Sequence, residues 1–129
     1  MIPYRLLLDN FWKSIYLGMD TVGFLMMTSH TTPENLLEEV KKKESYGVGT
    51  IYVFDSAEAL TINDTRRRMW LFKENLSTAV GFHGHNNFPL GVADSIVALE
   101  EGADRLDMSL AGMGACAGHS DRTSVFSTF

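Results

Sequence analysis

Apolar positions along this chain follow two alternating spacings. From Leu6 to Leu17 they recur at helical intervals, and Gly18 stands where a helix-closing glycine belongs. Asp20 to Met27 (DTVGFLMM) is a compact apolar run that predicts a strand. Thr32-Pro33 predicts a helix start, with Thr as N-cap and Pro at the first helical position. Leu36, Leu37 and Val40 give that helix its apolar stripe. Lys41, Lys42 and Lys43 load its last turns, where cations complement the helix dipole, and Gly47 ends it. Thr50 to Phe54 (TIYVF), rich in β-branched and aromatic residues, predicts the next strand. Thr61 or Asn63 opens a helix to about Asn75. Ala79 to Asn86 predicts a third strand, Leu90 to Glu101 a helix closed by Gly102, and Arg105 to Leu110 a fourth strand. A glycine-rich loop, Gly112 to Gly118, follows.

Strands alternating with helices over short connections predict parallel βαβ units and an α/β fold. Periodicity alone leaves a barrel and an open sheet as alternatives. The 129 residues fit a single domain, 1–129, without linker or low-complexity segment. They are about half of the roughly 250 residues of a complete (β/α)8 barrel. A net charge of −5 excludes the basic footprint of a general nucleic-acid binder. The lone Cys116 rules out a disulfide within the chain. The first residues lack the features of a secretory leader, so a cytoplasmic location is expected. No apolar run reaches the roughly 18 residues of a membrane span, and no membrane association is expected.

His83-Gly84-His85 carries the sharpest chemical signal. Residues i and i+2 of a strand share a face, so both imidazoles project side by side and could hold one divalent ion. They fall at the C-terminal end of a strand, where parallel α/β folds place their sites. Asn86 and Asn87 follow as oxygen donors. The motif equally fits two partly exposed polar residues at a strand end. Asp55-Ser56 also ends a strand, where the carboxylate could ligate, orient an imidazole or solvate a loop. Asp107, with Arg105 and Ser109 on its face, either serves a polar site or pairs with Arg105. Gly112 to Gly118 allows close backbone approach to a ligand, but matches neither G-x-G-x-x-G nor the P-loop. Cys116 reads as a small packed residue, and Arg66-Arg67-Arg68 as the solvated face of a helix.

The blocks GMDTVGFLMMTSH, YVFDS, GFHGHNN and GVADSIVALEEGADRLDMSLAGMGACAG occur in order. Over Gly18 to Gly118 the chain closely resembles the 4-hydroxy-2-oxovalerate aldolase family, within the wider group that holds hydroxymethylglutaryl-CoA lyase and isopropylmalate synthase. Residues 1–17 and 119–129 resemble it poorly. The resemblance implies a (β/α)8 barrel of which this chain carries four βα units, strands five to eight. It implies a divalent metal, manganese in this branch with Mg2+ or Co2+ as alternatives, held in part by His83 and His85. Asp55 and Ser56 match the family's Asp-Ser pair, the serine placed toward the pyruvate-like part of a small 2-keto acid. Asn86, Asn87 and His119 are outer-shell candidates. The reaction implied is metal-dependent cleavage of 4-hydroxy-2-oxopentanoate to pyruvate and acetaldehyde.

Departures from the family pattern matter as much. The strand-one Arg-Asp-Gly, which supplies a third ligand and an enolate-stabilising arginine, has no match, and neither does the family's histidine base. Low activity is therefore expected of the chain alone. The helical region that docks an acylating acetaldehyde dehydrogenase has no match either, so that partner is not expected. Ala57-Glu58 stand where the family has Gly-Gly, and His119 where it has Asn. Two other readings compete: a non-catalytic metal-binding module that dimerises through open sheet edges near Val22 and Leu106, and an acyl-CoA lyase or synthase branch. The block GMDTVGFLMM favours the aldolase.

Overall fold

A computed structural model describes residues 4–26, 28–54, 59–86 and 89–129, with side chains from residue 10 onward. The elements run α1 (Tyr4–Tyr16), β1 (Val22–Leu25), α2 (Pro33–Ser45), β2 (Thr50–Phe54), α3 (Ile62–Asn75), β3 (Ala79–His83), α4 (Gly91–Glu100), β4 (Arg105–Asp107) and α5 (Arg122–Phe126). Short 3-10 turns occupy Thr28–His30 and Leu110–Gly112. The strands form one parallel sheet in the order β1-β2-β3-β4. This is the βα alternation the hydrophobic pattern predicts, and the sheet's edges are β1 and β4, the strands of Val22 and Leu106. Among the described residues, no helix is long and apolar enough to cross a membrane.

Helix boundaries follow the local chemistry. The Thr32 side chain accepts from the N–H of Asn35, and Pro33 opens α2. Thr61 and Asp64 make a reciprocal capping box at the start of α3. Two strands are shorter than the sequence predicts. β3 stops at His83 instead of Asn86, and β4 at Asp107 instead of Leu110. Beyond these points each chain segment leaves the sheet ladder and pairs with the returning C-terminal loop instead.

The sheet has two chemically distinct faces. Leu25, Ile51, Val53, Val80 and Phe82 are all at most 3% exposed and pack with Leu36, Val40, Met69, Phe72 and Ala98 from the helices. The register aligns the other face in rows across neighbouring strands. Phe24, Tyr52, Gly81 and Arg105 make one row, and Phe54, His83 and Asp107 the next toward the C-terminal end. Tyr52 lies across β3 because Gly81 has no side chain: a Cβ there would sit 2.6 Å from the phenol ring. Arg105 Nη1 reaches Asp20 Oδ2 at 3.1 Å. In a flat sheet β1 and β4 stand three strand spacings apart, roughly 14 Å, so this pair requires a sheet curled toward the Tyr52 face. Layered inward side chains on a curled parallel sheet are the construction of a (β/α)8 barrel.

Arg68 departs from the expectation of a solvated arginine run. Arg66 and Arg67 are exposed and paired with Glu100, Glu101 and Glu34. Arg68 is 4% exposed, and its Nη2 donates to the carbonyls of Thr28 and Thr31, each at 3.0 Å. The reason is position: Arg68 falls on the buried stripe of α3 with Thr65, Met69 and Phe72, and its fork reaches the loop after β1.

Candidate metal centre

Three histidines meet at the C-terminal end of the sheet. His83 is the last residue of β3, beside Phe54 of β2 and Asp107 of β4 in register. His85 lies beyond the strand, where it forms an antiparallel bridge with His119. Two backbone bonds flank that bridge: Asn86 N donates to Gly118 O at 2.9 Å and Ser120 N to Gly84 O at 3.1 Å. His85 and His119 are thus a non-hydrogen-bonded antiparallel pair, the kind that brings side chains closest. The ring centroids are 5.2 Å apart for His83 and His85, and 4.7 Å from His119 to either. One ligand nitrogen from each histidine lies within 4.8 Å of the others.

The surroundings prepare these imidazoles for a cation. His83 Nδ1 faces Asp107 Oδ2 at 3.4 Å, while His83 Nε2 is buried and no described residue hydrogen-bonds to it. A carboxylate on one ring nitrogen fixes the tautomer and leaves the other as a lone-pair donor. Burial lowers the His83 pKa below the usual histidine value, against the pull of Asp107, and the neighbouring His119 and His85 add to the lowering. The ring is therefore neutral at pH 7, the form that ligates. Phe54 packs against both, its centroid 4.5 Å from His83 and 5.2 Å from His85. Tyr52 has a raised pKa, first from burial and then from the Asp107 charge and the hydrogen bond with it. An orphaned buried nitrogen, an oriented imidazole and three nitrogen donors fit a divalent cation. The rings open on a cavity of about 480 Å3 lined also by Phe24, Met26 and Asp107, of the size small-molecule sites have.

Sequence-selected residues separate here. His83 and His85 do share a face, although β3 ends between them. Asp107 turns to His83, and Arg105 pairs with Asp20 instead of Asp107. Asn86 Oδ1 accepts from the N–H of Gly91 at 3.2 Å and so ties the loop to α4. His119 joins the cluster directly. Cys116, read as packed, is exposed, with a backbone φ of 56° in the loop; the turn that carries His119 back to the sheet leaves it outside. Asp55, Ser56, Glu58 and Asn87 lie outside the described residues. Tyr52 and Phe54 were not singled out from sequence, although their alternate spacing with Ile51 and Val53 places them on the face of His83.

A curled four-stranded parallel sheet, with helices on its outer face and its site at the C-terminal end, is part of a (β/α)8 barrel. The chain belongs to the HMGL-like family, whose pattern matches residues 13–126. It is 49% identical over 111 residues to 4-hydroxy-2-oxovalerate aldolase of Chloroflexus aggregans, covering 86% of this chain and 32% of that protein. It is 50% identical over 103 residues to the enzyme of the same name from Geobacillus stearothermophilus, covering 80% and 30%. The chain thus spans about a third of the length of these relatives. Among solved structures, HMG-CoA lyase of Bacillus subtilis superposes with a TM-score of 0.87 at 14% identity, over 96% of this chain and 46% of that one. The Brucella melitensis lyase gives 0.83 at 18%, over 95% and 48%. At such identity these two attest the fold.

Proposed function

We propose that this chain carries the metal-holding part of an aldolase site acting on a small 2-keto acid, with 4-hydroxy-2-oxopentanoate as substrate and pyruvate and acetaldehyde as products. The observation that carries the reading is the His83–His85 pair, oriented by Asp107 at the C-terminal end of a parallel sheet. Relatives about 50% identical and named for that reaction support it over an acyl-CoA branch.

A divalent ion bound here supplies Lewis acidity, which polarises a keto group and steadies negative charge developing on it. The protein's own residues would hold and orient that ion. His83 presents Nε2 and is held by Asp107 on its other nitrogen. Phe54 packs against both rings. Asp55 and Ser56, next in sequence after Phe54, are assigned to substrate binding on the family resemblance, the serine toward its pyruvate-like part. The exposed thiol of Cys116 fits a reducing compartment such as the cytoplasm.

The test is calorimetry with divalent ions on wild type and on His83→Ala/His85→Ala, followed by assays of pyruvate release from 4-hydroxy-2-oxopentanoate and of acetyl-CoA release from hydroxymethylglutaryl-CoA. Ion binding lost in the double variant is expected, with pyruvate release from the hydroxy-keto acid slow and lost with it. Ion binding without turnover of either compound would restrict the chain to a metal-holding module.

A further inference from the structure

His119 is the member of the cluster that no strand of the sheet supplies. It returns on the glycine-rich loop after β4, and that loop is shaped around its ring. Its own N–H donates to Gly112 O at 3.0 Å, and the residues on either side are bonded to the His85 segment. Next in the chain, Ser120 is fully buried, its Oγ 2.7 Å from Ser95 Oγ and 2.6 Å from Gly91 O. Two glycines make room. A Cβ on Gly114 would lie 2.5 Å from the imidazole of His119, and one on Gly118, where φ is +96°, would lie 2.1 Å from Gly112 O. Backbone bonds and buried serines thus place an imidazole, rather than a loop tip, against His83 and His85.

The donor set also carries information about the ion. Among the described residues all three groups in the cluster are imidazoles, with one ligand nitrogen from each within 4.8 Å of the others. Nitrogens that share one tetrahedral ion at about 2.1 Å are roughly 3.4 Å apart, so the rings would draw together by up to about 1.4 Å on binding. The nearest described carboxylate, Asp107, faces His83 Nδ1, on the ring edge turned from the buried Nε2. Imidazole sets suit zinc and its late first-row neighbours, whereas magnesium and manganese prefer carboxylate and carbonyl oxygen.

We propose that His119 is a third metal ligand, and that His83, His85 and His119 form a tri-imidazole site selecting Zn2+ or Co2+ over the manganese that the family resemblance implies. This rests on the reading above that His83 and His85 hold a divalent cation, and it adds a ligand and the class of ion.

The experiment is calorimetric titration of the full chain with Zn2+, Co2+ and Mn2+, with the visible absorption of the Co2+ form recorded alongside. The variants are His119→Asn, His119→Gln, His83→Ala/His85→Ala and, as a control for the exposed thiol, Cys116→Ser. Circular dichroism establishes that each is folded; the backbone bonds of residue 119 do not depend on its side chain. Wild type is expected to bind Zn2+ and Co2+ more tightly than Mn2+. Outer-shell partners alone are worth roughly 10–100-fold in metal affinity, so losing a ligand should cost at least about 100-fold for Zn2+. The Co2+ absorption should change in both His119 variants, with Mn2+ affinity little altered and Cys116→Ser neutral. Unchanged zinc affinity and cobalt spectrum in both folded His119 variants, with binding still lost in the double variant, would overturn the third ligand and leave the two-histidine reading standing. Tighter binding of Mn2+ than of Zn2+ would overturn the selectivity. Binding of no ion by folded wild type would overturn both readings together.

Discussion

Asp107 stands 3.4 Å from Nδ1 of His83 and half-exposed at the cavity wall, so it orients the ring without closing it off. Asp107→Asn keeps the shape but removes the charge that fixes the tautomer. Calorimetry should then show ion affinity lowered by roughly 10–100-fold, the usual worth of such a partner, with thermal stability little changed. An equal loss of stability would mean that Asp107 props the fold instead. Arg68 offers the opposite case. Its fork satisfies the carbonyls of Thr28 and Thr31 in a buried place, and a buried acceptor stripped of its donor costs about 1–3 kcal/mol. Arg68→Ala should lower unfolding free energy by at least that amount in urea titrations, while Arg67→Ala, at an exposed ion pair, changes it little. At this scale the sequence was partly legible. The i, i+2 rule brought His83 and His85 to one face. The partnership of His83 with Asp107 depends on strand register, and the approach of His119 on a loop folding back; neither has a periodic signal. Arg68 was misread because three consecutive arginines look alike until the phase of the helix assigns one of them to the core.

At the scale of elements, caps and turn residues carried most of the reading. Thr32 and Thr61 stand at helix starts because their side chains accept from N–H groups that the first turn leaves without partners, and Pro33 because it has no N–H to leave unpaired there. Thr61→Ala should cost about 1 kcal/mol, measured as a lower midpoint of thermal or urea unfolding. The Asp64 carboxyl is held below its usual pKa, first by the hydrogen bond from the Thr61 hydroxyl and also by the Thr61 N–H and Arg68; partial burial opposes them. A depressed carboxylate contributes stability that is fully present above its unfolded pKa and is lost as pH falls through the folded value. The stability difference between wild type and Asp64→Asn should accordingly be constant near neutrality and shrink below about pH 4. A difference that persists unchanged to pH 2 would show that the cap does not need the charge. Strand ends were less legible than helix ends. The predicted strands run on past His83 and Asp107, but there the ladder gives way to bridges with the loop around His119 and Asp121, and only tertiary pairing decides that.

For the whole molecule, alternation of strand and helix announced a parallel sheet but not its curvature. What distinguishes a curled sheet is which residues meet across it: Arg105 with Asp20, and the row of Phe24, Tyr52 and Gly81 beneath the site. Open parallel sheets bury both faces under helices. Here helices cover one face, and the other exposes Phe24 at 45% and Met26 at 66%. Two phenylalanines of the same sheet therefore test the architecture. Phe82 points into the helix-covered core at 1% exposure, and Phe82→Ala should cost about 3–5 kcal/mol in urea unfolding. Phe24 points to the concave face, where its described ring contacts are the stack on Tyr52, centroids 5.2 Å apart, and the edge contact with Phe54. Since aromatic pairs contribute about 0.5–1.5 kcal/mol, Phe24→Thr should cost no more than that, and binding of an environment-sensitive hydrophobic dye should fall with it. Equal destabilisation by the two substitutions would mean that the Phe24 face is as densely packed as the helix side. In that event the cavity beneath the histidines would be filled in solution, and a substrate could reach the cluster only from above the C-terminal loops.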